Sequence, residues 1–208
     1  MAKRIFITAT NTDIGKTYAS TLLLKEWASQ GLKVGVFKPI ETGVQTAPLD
    51  GTKLFDLARS LNPELNVLTM DDIVPYQFTL PAAPSVAKGE THIDLDYLTQ
   101  KLLKIESLCD IVLIEGAGGL MVPVQDELFM VDFITYFNAS PLLVVPSRLG
   151  SINDTLLSRH LLESRNISYV WAINLYEDKE SFAEVTAPFY KNAYLTLQDD
   201  IKTITNKL

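Results

Sequence analysis

The chain has 208 residues, 47% hydrophobic and 21% charged, proportions that fit a soluble globular unit with one sizeable core. A net charge of −7 with no clustered run of Lys or Arg excludes a nucleic-acid surface. One cysteine, Cys109, and two histidines exclude an internal disulfide and a zinc site, and suit a reducing cytoplasm.

The opening MAKRIFITAT has a short apolar run that stops in polar residues, so it reads as a first strand over 4–10 and not as a signal peptide. In KTYASTLLLKEWASQG, Ala19, Leu23 and Trp27 recur at helical spacing, and Gly31 supplies the stop. KVGVFKP, residues 33–39, is a second strand ended by proline. Residues 40–84 are rich in loop formers, with one helix expected near 54–60. In IDLDYLTQKLLKIESL, Leu95, Leu98, Leu102, Ile105 and Leu108 mark one helical face, and Asp94 is its expected N-cap. DIVLIEGAGG is wholly apolar at its start, as buried parallel strands are. PLLVVPS and YVWAINL are two more such runs, separated by a helix over about 153–165. Strands alternating with helices predict one α/β domain over 1–208, a central parallel sheet with helices on both faces. No stretch reaches the ~18 apolar residues of a membrane span.

ITATNTDIGKT, residues 7–17, carries most of the chemistry. It resembles the phosphate loop G-x-x-x-x-G-K-[ST], but Thr10 stands where the first glycine belongs and Ala9 precedes it. Strand, polar loop, Gly-Lys-Thr and helix is nevertheless the context in which backbone N–H groups face phosphate oxygens. The loop from Asp13 and Ile14 through Gly15 to Tyr18 would cradle a nucleotide. Lys16 would reach its outer phosphates and Thr17 would bind Mg²⁺. Glu115, directly after the buried run 111–114, is the expected second oxygen ligand of Mg²⁺ or else a salt-bridged strand end. Gly116, Ala117 and Gly118 after it allow backbone to approach the ligand.

TNTDIGKT, FKPIETG, IEGAGG, RLGSIN and WAIN stand in the order and spacing of the ATP-dependent dethiobiotin synthetases, and the chain resembles that family from Lys3 to about Leu175. The resemblance implies a single-domain P-loop α/β fold, a homodimer, and conversion of 7,8-diaminononanoate, CO2 (as bicarbonate in solution) and ATP into dethiobiotin, ADP and phosphate. It implies that Lys16 and Lys38 cancel the repulsion between a carbamate and a triphosphate. Lys38 follows the second strand, which is expected beside the first, at the C-terminal edge where open α/β sheets bind ligands. Thr12 and Thr42 match positions that hydrogen-bond the carbamate or the amine, and either could equally be a turn hydroxyl. Asp13 matches an acidic residue close to the diamine, and Asp56 matches a second carboxylate on Mg²⁺. Ser151, Ile152 and Asn153 open a helix whose free N–H groups could hold the substrate's carboxylate tail across the dimer; Ser151 or Asn153 could instead cap that helix. Asn174 matches an amide that reads the adenine edge.

The tail after Leu175 departs from the family, lacking Pro-x-Leu-Gly-x-x-Pro, and this predicts a shortened base pocket that admits other nucleoside triphosphates. Two other readings share the scaffold. A partitioning switch would carry a second loop lysine where Asn11 stands. Another amide-forming ligase or a small-molecule kinase would bring a glutaminase domain or an arginine-rich lid, neither of which the sequence contains.

Overall fold

The N-terminal apolar run forms β1 (Lys3–Ala9), whose last five residues are buried. The computed structural model describes residues 2–176, 179–191 and 193–208. A polar loop leads into α1 (Lys16–Ser29), which buries Ala19, Leu23 and Trp27 as their spacing requires. β2 (Val34–Phe37) is buried throughout. The stretch that the sequence leaves largely unread holds β3 (Ile40–Thr42), α2 (Leu49–Leu61), a short 3-10 turn, α3 (Met70–Ile73), β4 (Tyr76–Phe78) and α4 (Pro84–Ala87). Strands of three residues and helices of four are too short for a hydrophobic period to show.

α5 (Leu95–Glu106) begins at the Asp94 side chain, which accepts the backbone N–H groups of Asp96 and Tyr97. β5 (Ile111–Gly119) follows, and then β6 (Pro123–Gln125) pairs antiparallel with β7 (Leu128–Phe129). α6 (Asp132–Tyr136), β8 (Ser140–Pro146), α7 (Ser151–Ser164) and β9 (Val170–Asn174) complete the alternating pattern. The tail holds α8 (Lys179–Ser181), irregular helical turns to residue 190, and α9 (Ile201–Lys207).

The main sheet is parallel throughout, in the order β2-β5-β1-β8-β9. The second strand is therefore not beside the first, because β5 lies between them. This corrects the expected order: the first six residues of β5 are buried, Glu115 among them, and their backbone groups find ladder partners on both edges, with β2 on one side and β1 on the other. The displacement does not take Lys38 away from the site. Phe37 pairs with Ile114 and Ile7 pairs with Glu115, so register alone brings Lys38 level with Glu115 and the phosphate loop to its other side.

The tail also returns to the sheet. The Ile173 N–H donates to the Leu195 carbonyl at 2.8 Å and the Leu197 N–H to the Ile173 carbonyl at 2.9 Å, which adds a short parallel bridge outside β9. Cys109 packs under the Asn62 amide, and burial pushes its thiol up to about 12. Among the described residues no helix is long and apolar enough to cross a membrane.

Candidate functional site

The chain between β1 and α1 turns through two left-handed residues, Asp13 at φ 58 and Gly15 at φ 100. Neither Ala9 nor Thr10 needs such a conformation, which is why the loop tolerates the loss of its first glycine. Gly15 is different. A Cβ there would lie 2.2 Å from Asn174 Nδ2. Below the loop, Lys16 is only 8% exposed and donates to the Asn11 carbonyl at 3.1 Å. Burial pulls its ammonium down to about 8, against the opposing pull of Glu115.

Glu115 is the hub of the site. It is fully buried, and its Oε1 accepts from Thr17 Oγ1 at 3.1 Å and from Lys38 Nζ at 2.9 Å. Its Oε2 accepts from Ser20 Oγ at 2.7 Å. A buried carboxylate is tolerable only with such partners. The salt-bridged alternative for Glu115 is thus realised with Lys38, on the same carboxylate that meets Thr17. Lys38 is itself buried. That alone would pull its ammonium down, but Glu115 and Asp50 outweigh it and hold it above its ordinary value. Ser20 is a partner the sequence did not single out. It lies one turn beyond Thr17 on the same face of α1, and that i, i+3 spacing was the available signal.

These groups line a cleft of about 700 Å³. Thr12, Asp13, Gly15, Lys16 and Thr17 form one wall, with Lys38 and Thr42 on a second and Gly116, Ala117 and Gly118 on a third. Asp56 does not enter it. Its carboxylate is half exposed and pairs with Arg59 at 2.6 Å. The reason is helical geometry, since Asp56 lies six residues along α2 from Asp50, about 9 Å up the axis and about 240° around it. Asp50 lines the cleft instead, with its carboxylate 3.8 Å from Lys38 Nζ. Among the described residues no three His, Cys, Asp or Glu side chains group as a metal cage. The oxygens of Thr17, Glu115 and Asp50 suit a hard cation that keeps water and phosphate in its remaining positions.

A second cleft of about 450 Å³ shares Asp13 and Gly15 with the first and is lined further by Tyr18, Asn174, Tyr176 and Gln198. Asn174 is committed as a brace: its Nδ2 donates to the Ile14 carbonyl at 3.0 Å, and its Oδ1 accepts from Gln198 Nε2 at 2.9 Å. The atypical tail thus supplies a wall of this cleft.

Ser151, Ile152 and Asn153 line neither cleft. Neither Ser151 nor Asn153 caps α7, since Gly150 at φ 88 holds that position without a side-chain bond. The N–H of Ser151 is not free, donating to the Arg148 carbonyl at 3.1 Å. Beside this turn Leu149 and Leu157 stand exposed.

Residues 3–192 match a family described as an AAA domain. Among curated proteins, the chain is 52% identical over 186 residues to the ATP-dependent dethiobiotin synthetase BioD of a Sulfurovum species, covering 89% of each chain. It is 38% identical over 212 residues to the protein of the same name from Wolinella succinogenes, covering 99% of this chain and 98% of the other. Among solved structures it is similar to a plasmid partition protein from Borrelia burgdorferi, with a TM-score of 0.58, 10% identity and full coverage of both chains. The cell division protein MinD of Aquifex aeolicus gives a TM-score of 0.55 at 18% identity, covering 99% of this chain and 87% of the other. Likeness at such identities shows a shared fold and nothing about activity.

Proposed function

The chain belongs to the ATP-dependent dethiobiotin synthetases, and from that membership we propose how its residues divide the closure of 7,8-diaminononanoate with CO2 into dethiobiotin at the expense of ATP. One observation carries the assignment: Lys38, Thr17 and Ser20 converge on the buried Glu115 beneath the phosphate loop, in a cleft that Thr12 and Thr42 also line.

One amine of the substrate adds to the carbon of CO2 and loses a proton, giving a carbamate. A carbamate oxygen attacks the γ-phosphorus, and ADP leaves. The second amine then attacks the carbamate carbon, its C–O bond to phosphate breaks, and the ring closes. The carbamate and the triphosphate are both anionic, so the rate depends on fixed positive charge where the phosphoryl group moves. Lys16 serves the phosphates from the loop side and Lys38 serves the carbamate oxygen from the β2 side. Thr12 and Thr42 donate to the carbamate or orient the amine, and Asp13 faces the diamine. Thr17, Glu115 and Asp50 would hold Mg²⁺, which when bound neutralises charge on the phosphate oxygens. Asp56 has no part in this.

The second cleft would take the nucleoside. Its wall comes from Tyr18, Tyr176 and the tail residue Gln198, and a pocket so constructed is expected to bind other nucleoside triphosphates as well as ATP. Competition among nucleotides tests this, and adenine-only binding would refute it. The exposed Leu149 and Leu157 beside the start of α7 support a homodimer in which Ser151, Ile152 and Asn153 meet the substrate tail of the other protomer. One P-loop domain working in the cytoplasm fits this chemistry.

The deciding experiment measures phosphate release from ATP with Mg²⁺ and bicarbonate, with and without 7,8-diaminononanoate. Release should require the diamine and should vanish in Lys16→Ala. Release indifferent to the diamine would remove the substrate assignment and leave a bare nucleotidase.

Lys16 makes a second expectation possible. Burial pulls its ammonium down to about 8, and phosphate charge favours the protonated form. Nucleotide binding should therefore take up protons at about pH 8.5 and almost none at about pH 6.5, where the amine is already charged. Calorimetry in buffers of different ionisation enthalpy reads this directly. Equal heats at the higher pH would mean that Lys16 does not meet the phosphates.

A further inference from the structure

Glu41 stands in the FKPIETG stretch, between Lys38 and Thr42. It is buried at 8% exposure and lines the first cleft, where an acidic group needs partners. Both of its oxygens are engaged: Oε1 accepts the backbone N–H of Asp50 at 3.1 Å and Oε2 that of Gly51 at 2.8 Å. These are two of the donors left unpaired at the start of α2, and Pro48, the residue preceding that helix, gives no side-chain cap. Glu41 therefore caps α2 from a neighbouring strand, with a negative charge at the helix's positive end. The approach is close. A Cβ on Gly51 would lie 3.2 Å from Glu41 Oε2 and 2.2 Å from Val74 Cγ2.

The residue whose own N–H is gripped in this way is Asp50. Its side chain is half exposed, and among the described residues the one ion pair it makes is the 3.8 Å approach to Lys38. Its direction is thus set by its backbone more than by its contacts. We propose that Glu41 is a positioning residue for the ligase reaction: by capping α2 from β3 it fixes the turn that carries Asp50, and so holds the Asp50 carboxylate toward the phosphates. This rests on the reading of Asp50 as a metal-side carboxylate.

The test compares Glu41→Gln, Glu41→Ala, Asp50→Asn and the Glu41→Gln/Asp50→Asn double variant with the natural enzyme. Mn²⁺ affinity in the presence of a non-hydrolysable ATP analogue is read by the free-Mn²⁺ resonance, beside the Mg²⁺ dependence of phosphate release and the melting temperature. Glu41→Gln keeps the side chain's shape and one acceptor, and so gives the answer should Glu41→Ala not fold. Supporting carboxylates around metal sites are worth about ten-fold or more in affinity, so Glu41→Gln should weaken Mn²⁺ by about ten-fold. The Mg²⁺ requirement should rise in parallel, with kcat at saturating Mg²⁺ largely kept. In the double variant the loss should be no larger than in Asp50→Asn alone. If Glu41→Gln lowers the melting temperature but leaves Mn²⁺ affinity unchanged while Asp50→Asn reduces it, Glu41 is a helix cap only and the proposal fails by itself. If Asp50→Asn also leaves Mn²⁺ affinity unchanged, the metal reading of Asp50 falls and takes the proposal with it.

Discussion

Lys38→Ala is expected to lose turnover by about a thousand-fold or more, the scale on which fixed cationic groups act in phosphoryl transfer. It should also be the most destabilising single change at the site. Lys38 is buried and its ammonium lies 2.9 Å from the wholly buried Glu115. Removing one member of such a pair leaves a charge without compensation, at a cost of about 3–5 kcal/mol. The lost methylene packing is the smaller part. The two effects separate in the double variant Lys38→Ala/Glu115→Gln. Neutralising the carboxylate should restore much of the melting temperature, because the uncompensated charge is gone. Turnover should stay lost, because no cation faces the carbamate and the carboxylate proposed for Mg²⁺ is gone as well. Thermal unfolding and phosphate release in the natural enzyme and the two variants decide the matter. A folded Lys38→Ala with appreciable diamine-dependent release would remove Lys38 from the mechanism, whatever its role in the fold.

Gly15→Ala should be nearly as severe, through binding. At φ 100 an L side chain is strained by about 1–2 kcal/mol. The added methyl would also sit 2.2 Å from Asn174 Nδ2, inside any real contact distance. Asn174 would have to leave the Ile14 carbonyl, and the loop would lose its brace. Misplacing phosphate-facing amides by about 1 Å is worth about a hundred-fold, so nucleotide affinity should fall by at least that much. Adding Asn174→Ala to Gly15→Ala relieves the collision but not the backbone strain, and should recover part of the loss. Titration with a fluorescent nucleotide measures both. Unchanged affinity in Gly15→Ala would mean that the loop binds phosphate in some other conformation.

How much of this could be read from the residues differs by element. Long apolar runs and the stripes of α1 and α5 announced themselves, because burial writes its period into the sequence. Strand order did not, since alternation says that strands are parallel and not which are neighbours, and the apolar runs of β5 and β8 do not say which of them lies beside β2. The phosphate loop was legible through Gly-Lys-Thr, and Glu115 through its position at the end of a buried strand. Asp56, offered by the resemblance as a second carboxylate, lies outside the cleft, and nothing in the residues themselves said where α2 begins. With α2 starting at Leu49, Asp50 faces the cleft and Asp56 faces water. Glu41 was passed over altogether, since a cap supplied from another strand leaves no local pattern. Asn174, singled out for a base, also donates to the Ile14 carbonyl and accepts from Gln198, a bracing role that its place at a strand end did not signal.

That last arrangement has a consequence for synthesis. The phosphate loop leaves the ribosome long before its brace does: the amide comes from Asn174, and the side chain that holds that amide comes from Gln198. The bridge of residues 195–197 to β9 closes the sheet edge at the same late stage. A nascent chain should therefore show most of its helix and sheet before it can hold a nucleotide, and competence should arrive as one late event. Removing residues 197–208 should yield a chain whose loop is complete in sequence but slack in shape.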